Sequence, residues 1–276
     1  MSESLFTNSK KLINVDNLAV HFHIPQGIVK AVDGISFDIA RGKSLGIVGE
    51  SGCGKTITAL TMMLLHPHPE AKIENGSINF YRHENDMINL AKLDVHSKVI
   101  RKIRGNDIAM IFQEPMMSLN PVHKIGDQLI EIIRLHQKIS KSNARQAALD
   151  ALDMVKISAP AQRMNEYPFQ ISGGMRQRVM IAMALCCKPK LLIADEPTTA
   201  LDVTIEAEIL KLIKDLQDDL NMSLMMITHD LGVISEVTDQ VAVMYVGKIV
   251  EKASTKDLFN EPLHPYTQGL FKSRPE

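Results

Sequence analysis

Two glycine-bearing clusters stand far apart in this sequence, and both are built from residue types that hold anions. Gly49-Glu50-Ser51-Gly52-Cys53-Gly54-Lys55-Thr56 fits the pattern G-x-x-x-x-G-K-[ST] without a mismatch. Its glycines let successive backbone N–H groups turn onto phosphate oxygens, Lys55 reaches the β- and γ-phosphates, and the Thr56 hydroxyl ligates Mg²⁺. A helix opening at the end of the loop offers its positive pole to the same anion. The second cluster, Ile171-Ser172-Gly173-Gly174-Met175, lies far downstream. One nucleotide needs only the first cluster. A chain carrying both is expected to use the second on the nucleotide of a neighbour.

A pair of acids completes the set. Leu191-Leu192-Ile193-Ala194-Asp195-Glu196 is an apolar run ending in two carboxylates. Acids at the C-terminal end of a parallel strand sit where such sheets bind ligands. Asp195 is placed to hold Mg²⁺, directly or through water, and Glu196 to polarise an attacking water as general base.

Positioning these residues requires strands and helices in alternation. Leu12–Phe22 and Ala31–Ile39 read as strands around a turn at Pro25-Gln26-Gly27, and Ser44–Val48 is an apolar strand leading into the phosphate loop. Lys55–Leu65 has helical character and stops before Pro67, after which Gly76–Tyr81 and Asp107–Phe112 return to strand. From Ile125 to about Val155 the period changes. Ile125, Leu129, Ile132, Ile133 and Leu135, then Ala147, Leu149, Ala151, Leu152 and Val155, recur at helical spacing and predict a helical insert. Strands at Leu191–Ala194, Leu224–Ile227 and Val241–Met244 then alternate with helices at Thr204–Leu216 and Leu231–Val237. The alternation predicts an α/β fold whose mostly parallel sheet is covered on both faces.

Bulk composition narrows the function classes. The 276 residues carry 31 basic and 32 acidic side chains, so no net field favours nucleic acid or anionic lipid. Tryptophan is absent and other aromatics are few, which argues against base-stacking platforms. The 16 methionines read as core filler before they read as adaptable surface. Cys53, Cys186 and Cys187 have no metal-site or disulfide spacing and are expected to be reduced thiols of a cytosolic protein. No run is long and apolar enough to cross a membrane, and the N-terminus lacks a secretory h-region.

With these motifs assembled, the chain resembles the ATP-binding subunits of ABC transporters, from about Leu12 to Phe271. Ser172-Gly173-Gly174-Met175-Arg176-Gln177-Arg178 looks like the family signature, with Ile171 and Met175 where the family has Leu and Gln, and Ala194 smaller than usual. The resemblance implies an ABC-type P-loop NTPase with a mostly parallel core sheet, an N-terminal antiparallel β subdomain and a helical signature subdomain. The core and β subdomain would occupy about 12–112 and 175–276, and the helical part about 115–174.

The resemblance also implies roles. Gln113 is the Q-loop glutamine that senses Mg²⁺ and the attacking water, Ala200-Leu201-Asp202 the D-loop, and His229 the switch histidine on the γ-phosphate. Phe22 is either the aromatic that stacks on adenine or a core strand residue. ATP would be held by Gly49, Glu50, Ser51, Gly52, Cys53, Gly54, Lys55 and Thr56 of one chain. Ser172, Gly173, Gly174 and Asp202 of another would face it, and Mg²⁺ would lie on Thr56, Gln113 and Asp195.

The segments Gln113–Pro121 and His264-Pro265-Tyr266-Thr267 further resemble dipeptide and oligopeptide importers, and Ile132–Gln137 is similar to glutathione-importing ATPases. Expected partners are a second ATPase domain paired head to tail (homo- or heterodimer), two transmembrane permease subunits and an external substrate-binding protein, but no nucleic acid. The expected place is the cytoplasmic face of the membrane. The expected cargo is di- or oligopeptide, with glutathione or a nickel chelate as the alternative. Peptide-importing relatives continue into a cysteine-bearing tail that in some binds an iron–sulfur cluster; the chain stops at Glu276, and no cluster is expected in it. Soluble ABC ATPases acting on DNA or ribosomes carry long coiled coils or a basic linker that this sequence lacks. A binding-only domain is disfavoured by intact Glu196 and His229.

Overall fold

Alternating apolar residues from Leu12 onward build a long hairpin. β1 (Lys11–Ile24) and β2 (Gly27–Ala40) pair antiparallel around Pro25 and Gln26, and both run further than the apolar pattern alone predicts. A computed structural model describes residues 11–84, 86–113, 119–198 and 202–272. The chain forms two compact units, Met1–Arg101 with Ser223–Glu276, and Lys102–Met222.

The first unit holds an antiparallel sheet in which β1 lies between β2 and β4 (Ala71–His83), with β5 (Asp86–Asn89) on the edge of β4. Leu12, Ile13, Val15, Leu18 and Val20 of β1 are buried in its core. The unit also holds β3 (Ser44–Val48), flanked in parallel by β8 (Ser223–Thr228) and β9 (Gln240–Tyr245). Every residue of β3 and β8 is buried, as continuous apolar runs in parallel sheets require. Gly46 lets α8 (Leu231–Val237) lie close to β3, because a Cβ there would stand 2.6 Å from the Ile234 side chain. β10 (Lys248–Ser254) turns back antiparallel on β9 and leads to the C-terminal helices α9 (Thr255–Asn260) and α10 (Pro265–Lys272). α1 (Lys55–Met62) follows the phosphate loop and is shorter than expected, and α2 (Lys98–Ile103) closes the segment after β5.

The second unit contains the parallel pair β6 (Ile108–Ile111) and β7 (Leu191–Asp195) and the helical insert. The insert comprises α3 (Ile125–Gln137), α4 (Lys141–Met154) and the short α5 (Pro160–Arg163). α3 buries Ile125, Leu129 and Ile133, but Leu135 is 73% exposed. Two residues beyond Ile133 is roughly 200° around a helix, so Leu135 cannot share that face. On α4 the buried stripe is Ala144, Ala148, Ala151 and Leu152, a narrower alanine face than the one predicted. α6 (Gly173–Leu185) and α7 (Val203–Asp219) complete the unit.

Candidate functional site

Parallel register brings candidate residues together in each unit. In the first, Val48 of β3 lies opposite Thr228 of β8, so Gly49 and His229 leave adjacent strands at the same level. The phosphate loop begins at the first and the switch-type histidine at the second. In the second unit, Ile111 of β6 lies opposite Ala194 of β7, and the residues just beyond them meet. Gln113 Nε2 donates to Glu196 Oε2 at 2.9 Å.

The phosphate loop is shaped by its glycines. Gly49, Gly52 and Gly54 have φ of 154°, 78° and 107°, a region that side chains strongly disfavour. Space is equally restrictive at two of them: a Cβ on Gly49 would stand 2.1 Å from Met244 O, and one on Gly54 2.2 Å from Ala31 O. Gly54 caps α1 in the left-handed conformation, and no side chain competes for the first N–H groups of the helix. Lys55 is only 5% exposed, and its ammonium donates to Gly49 O at 2.7 Å and Glu50 O at 2.8 Å. Burial pushes the Cys53 thiol up, against the pull of Lys55, and keeps it protonated beside that ammonium. Phe22 is half-buried on β1, between Val29 and Ala71.

In the second unit Asp195 ends β7 and is 1% exposed. Glu196 follows with φ of 46°, a left-handed backbone uncommon for a non-glycine residue and typical of functional turns. The next residue is gripped by the signature helix: Gln177 of α6, fully buried, donates to Pro197 O. Thr198 Oγ1 donates to Glu206 Oε1 at 2.7 Å, tying the same turn to α7. Ser172 caps α6 by accepting the Met175 N–H, and Asp202 caps α7 by accepting the Ile205 N–H at 3.0 Å. Gly173 has open space where a Cβ would point, whereas Gly174 is packed against Ile205. Of the Gln113–Pro121 segment, residues 114–118 lie outside the described residues, as do Ala200 and Leu201.

Two residues of the site have roles that the sequence pattern does not assign. Gln177 was visible only as part of the signature, although a glutamine on an otherwise apolar helix face marks a buried partner. Tyr266 was singled out within His264–Thr267 without a role; its hydroxyl accepts the Glu50 N–H of the phosphate loop at 3.0 Å. Among the described residues, no cluster of His, Cys, Asp and Glu forms a metal site by itself, and no helix is long and apolar enough to cross a membrane.

The sequence matches a family model described as ABC transporter over residues 32–199. A second, described as oligopeptide/dipeptide transporter C-terminal region, matches residues 250–276. The chain is 52% identical over 264 residues to the oligopeptide transport ATP-binding protein AppD of Bacillus subtilis (strain 168), a match covering 96% of this chain and 78% of that one. It is 50% identical over 265 residues to the probable peptide ABC transporter ATP-binding protein y4tR of Sinorhizobium fredii (strain NBRC 101917 / NGR234), covering 96% and 77%. Among solved structures, the dimeric post-hydrolysis ATP-binding cassette MJ0796 bound to ADP and Pi matches with a TM-score of 0.76 at 25% identity, over 88% of this chain and 99% of that one. The fold, the phosphate loop and these matches agree: the chain belongs to the ABC transporter family and is an ATP-binding, ATP-hydrolysing cassette.

Proposed function

We propose that this cassette drives import of di- or oligopeptides by hydrolysing ATP at a site shared with a second cassette. The observation that carries the hydrolytic part is the hydrogen bond from Gln113 Nε2 to Glu196 Oε2. An amide that donates to one oxygen of the carboxylate fixes the orientation in which Glu196 meets a water and takes its proton. Glu196 is thus the general base, Lys55 and the loop N–H groups from Gly49 to Thr56 bind the phosphates, and His229 contacts the γ-phosphate. The Thr56 hydroxyl, the Asp195 carboxylate and the Gln113 amide oxygen are hard oxygen donors suited to Mg²⁺, which would neutralise charge on the β- and γ-phosphates. The amide orientation seen here turns the Gln113 nitrogen to Glu196 and keeps its oxygen for that purpose. Half-buried Phe22 offers a ring to adenine.

Ser172, Gly173, Gly174 and Asp202 act on the nucleotide of a partner cassette in a head-to-tail pair, homo- or heterodimeric. ATP bound in both halves favours the closed pair because only that state makes both sets of contacts. Movement passes to two permease subunits through the segment from Gln113 to Pro121 and the helical subdomain, about 115–174. The β subdomain and core, about 12–112 and 175–276, hold the nucleotide at the cytoplasmic face of the membrane. Peptide cargo is supported by the C-terminal match at residues 250–276 and by the printed functions of the relatives.

Glu196→Gln tests the reading. The variant is expected to bind ATP, to lose hydrolysis by about 10²–10⁴-fold, and to accumulate as a dimer in ATP. Turnover at the parent rate would remove Glu196 from the role of base. Uptake of a labelled peptide into vesicles carrying the permeases and this cassette tests the cargo, and failure of peptide alone to be taken up would redirect it.

A further inference from the structure

The segment His264-Pro265-Tyr266-Thr267 has no part in the hydrolysis described above, yet its tyrosine touches the phosphate loop. The Tyr266 hydroxyl accepts the Glu50 N–H at 3.0 Å. The other face of the same residue's peptide chemistry matters as much: Glu50 O accepts from Lys55 Nζ at 2.8 Å and from the Cys53 N–H at 3.3 Å. Glu50 is therefore clamped between Tyr266 and the lysine that reaches the phosphates.

Tyr266 is itself delivered by a chain of polar contacts. Glu251 of β10 accepts the Leu263 N–H at 2.8 Å and the His264 N–H at 3.0 Å, one on each carboxylate oxygen. His264 Nδ1 accepts the Tyr266 N–H at 3.2 Å, and its carbonyl accepts the Gln268 N–H at 3.0 Å as α10 begins. Burial alone would raise the Glu251 carboxyl. The N–H groups of Leu263 and His264 are among the contacts that outweigh it and hold the group below its usual range. The Tyr266 ring packs on Tyr245 at 4.4 Å between centroids. Two residues beyond Tyr245, the Gly247 N–H donates to Cys53 O at 2.9 Å. Both limbs of the loop, Glu50 and Cys53, are thus tied to the β9–β10 turn and the helix beyond it.

We propose that Tyr266 is a positioning residue of the phosphate loop, through which docking of the C-terminal segment 262–268 sets the place of Lys55 and hence the affinity for nucleotide phosphates. The inference rests on the reading of Gly49–Thr56 as the phosphate site. Because the Glu251 carboxylate and the Tyr266 hydroxyl link the segment to the loop, a ligand that displaces the segment would make nucleotide affinity responsive to events at the C-terminal end.

The test measures ATP dissociation constants on the full chain by fluorescent-nucleotide displacement, with thermal unfolding in parallel. Tyr266→Phe keeps the ring on Tyr245 and removes the hydrogen bond; it is expected to weaken ATP binding about fivefold, the loss of one such bond. Glu251→Gln, outside the nucleotide site, is expected to weaken it in the same direction by about two- to threefold. The double variant should fall short of the product of the two, because both act through one chain of contacts. A lowered unfolding midpoint with parental ATP affinity in Tyr266→Phe would make the tyrosine an anchor for α10 only and overturn the proposal. Lys55→Ala separates the two readings. If it loses ATP binding while Tyr266→Phe does not, the latch fails and the phosphate site stands; if it binds ATP as the parent does, both fail.

Discussion

The two glycine-bearing helix starts of this molecule look alike in sequence and differ in construction. At Gly49–Thr56 three glycines adopt positive φ, the cap of α1 is backbone only, and a buried lysine is folded into the turn. At Ser172–Gly174 no glycine has positive φ, a serine hydroxyl caps α6 in the ordinary way, and Ser172 and Gly173 are exposed. The first has the glycine backbone from which an anion-binding nest can be built. The second is a plain helix N-terminus, able to add to an anion that another surface already holds. That asymmetry suits a cassette whose first cluster binds its own nucleotide and whose second completes the site of a partner.

The comparison breaks most readily at Gly54. Gly54→Ala would put a side chain into a left-handed residue and against Ala31 O. It is expected to cost about 3 kcal/mol or more and to remove ATP binding, as read by denaturant unfolding and nucleotide titration. The footing of β3, the strand feeding the nest, comes next. Asp239 accepts from Ser44 N at 2.8 Å and from Ser44 Oγ at 2.9 Å. Burial pulls its carboxyl upward, but the Ser44 bonds and Lys43 hold it below the usual carboxylate range. A carboxyl depressed on folding contributes stability above its unfolded pKa and loses that contribution as pH falls through its folded value. Asp239→Asn is therefore expected to cost about 2 kcal/mol at neutral pH and progressively less on acidification, as measured by unfolding at a series of pH values.

The second cluster should respond more gently. Ser172→Ala removes the cap of α6 and is expected to cost about 1 kcal/mol, with ATP-dependent dimerisation reduced. Gly173→Ala is the sharpest probe, because a methyl there meets nothing. Stability should change by less than about 0.5 kcal/mol while ATP-dependent dimerisation falls. If Gly173→Ala instead dimerised and hydrolysed ATP as the parent does, the second cluster would have no role at a partner's nucleotide.

Much of this was legible because the signals are local. Ser44–Val48 and Leu231–Val237 were read to the residue, since a short apolar run and a capped helix declare their own ends. Less local features were misjudged. Helical spacing groups Leu135 with the apolar face of α3, although its angular position two residues past Ile133 turns it outward. β10, α2 and α10 carry no clear local pattern: β10 sets Ile249 beside Val250 and Glu251 beside Lys252 instead of alternating, and the helices are a turn or two long.

That a phosphate loop exists, which residues make it, and that a second glycine-bearing helix start accompanies it are written locally in the chain. Those facts follow from residue types within a few positions of one another, where glycine, lysine and a hydroxyl leave little freedom. Tertiary structure alone decided who stands beside whom. Register between β3 and β8 puts His229 level with Gly49, register between β6 and β7 lets Gln113 hold Glu196, and the fold of β10 and α10 returns Tyr266 to Glu50. Strand pairing and helix docking join residues separated by most of the chain, and no local pattern encodes such a meeting until the burial of apolar surface has chosen the fold.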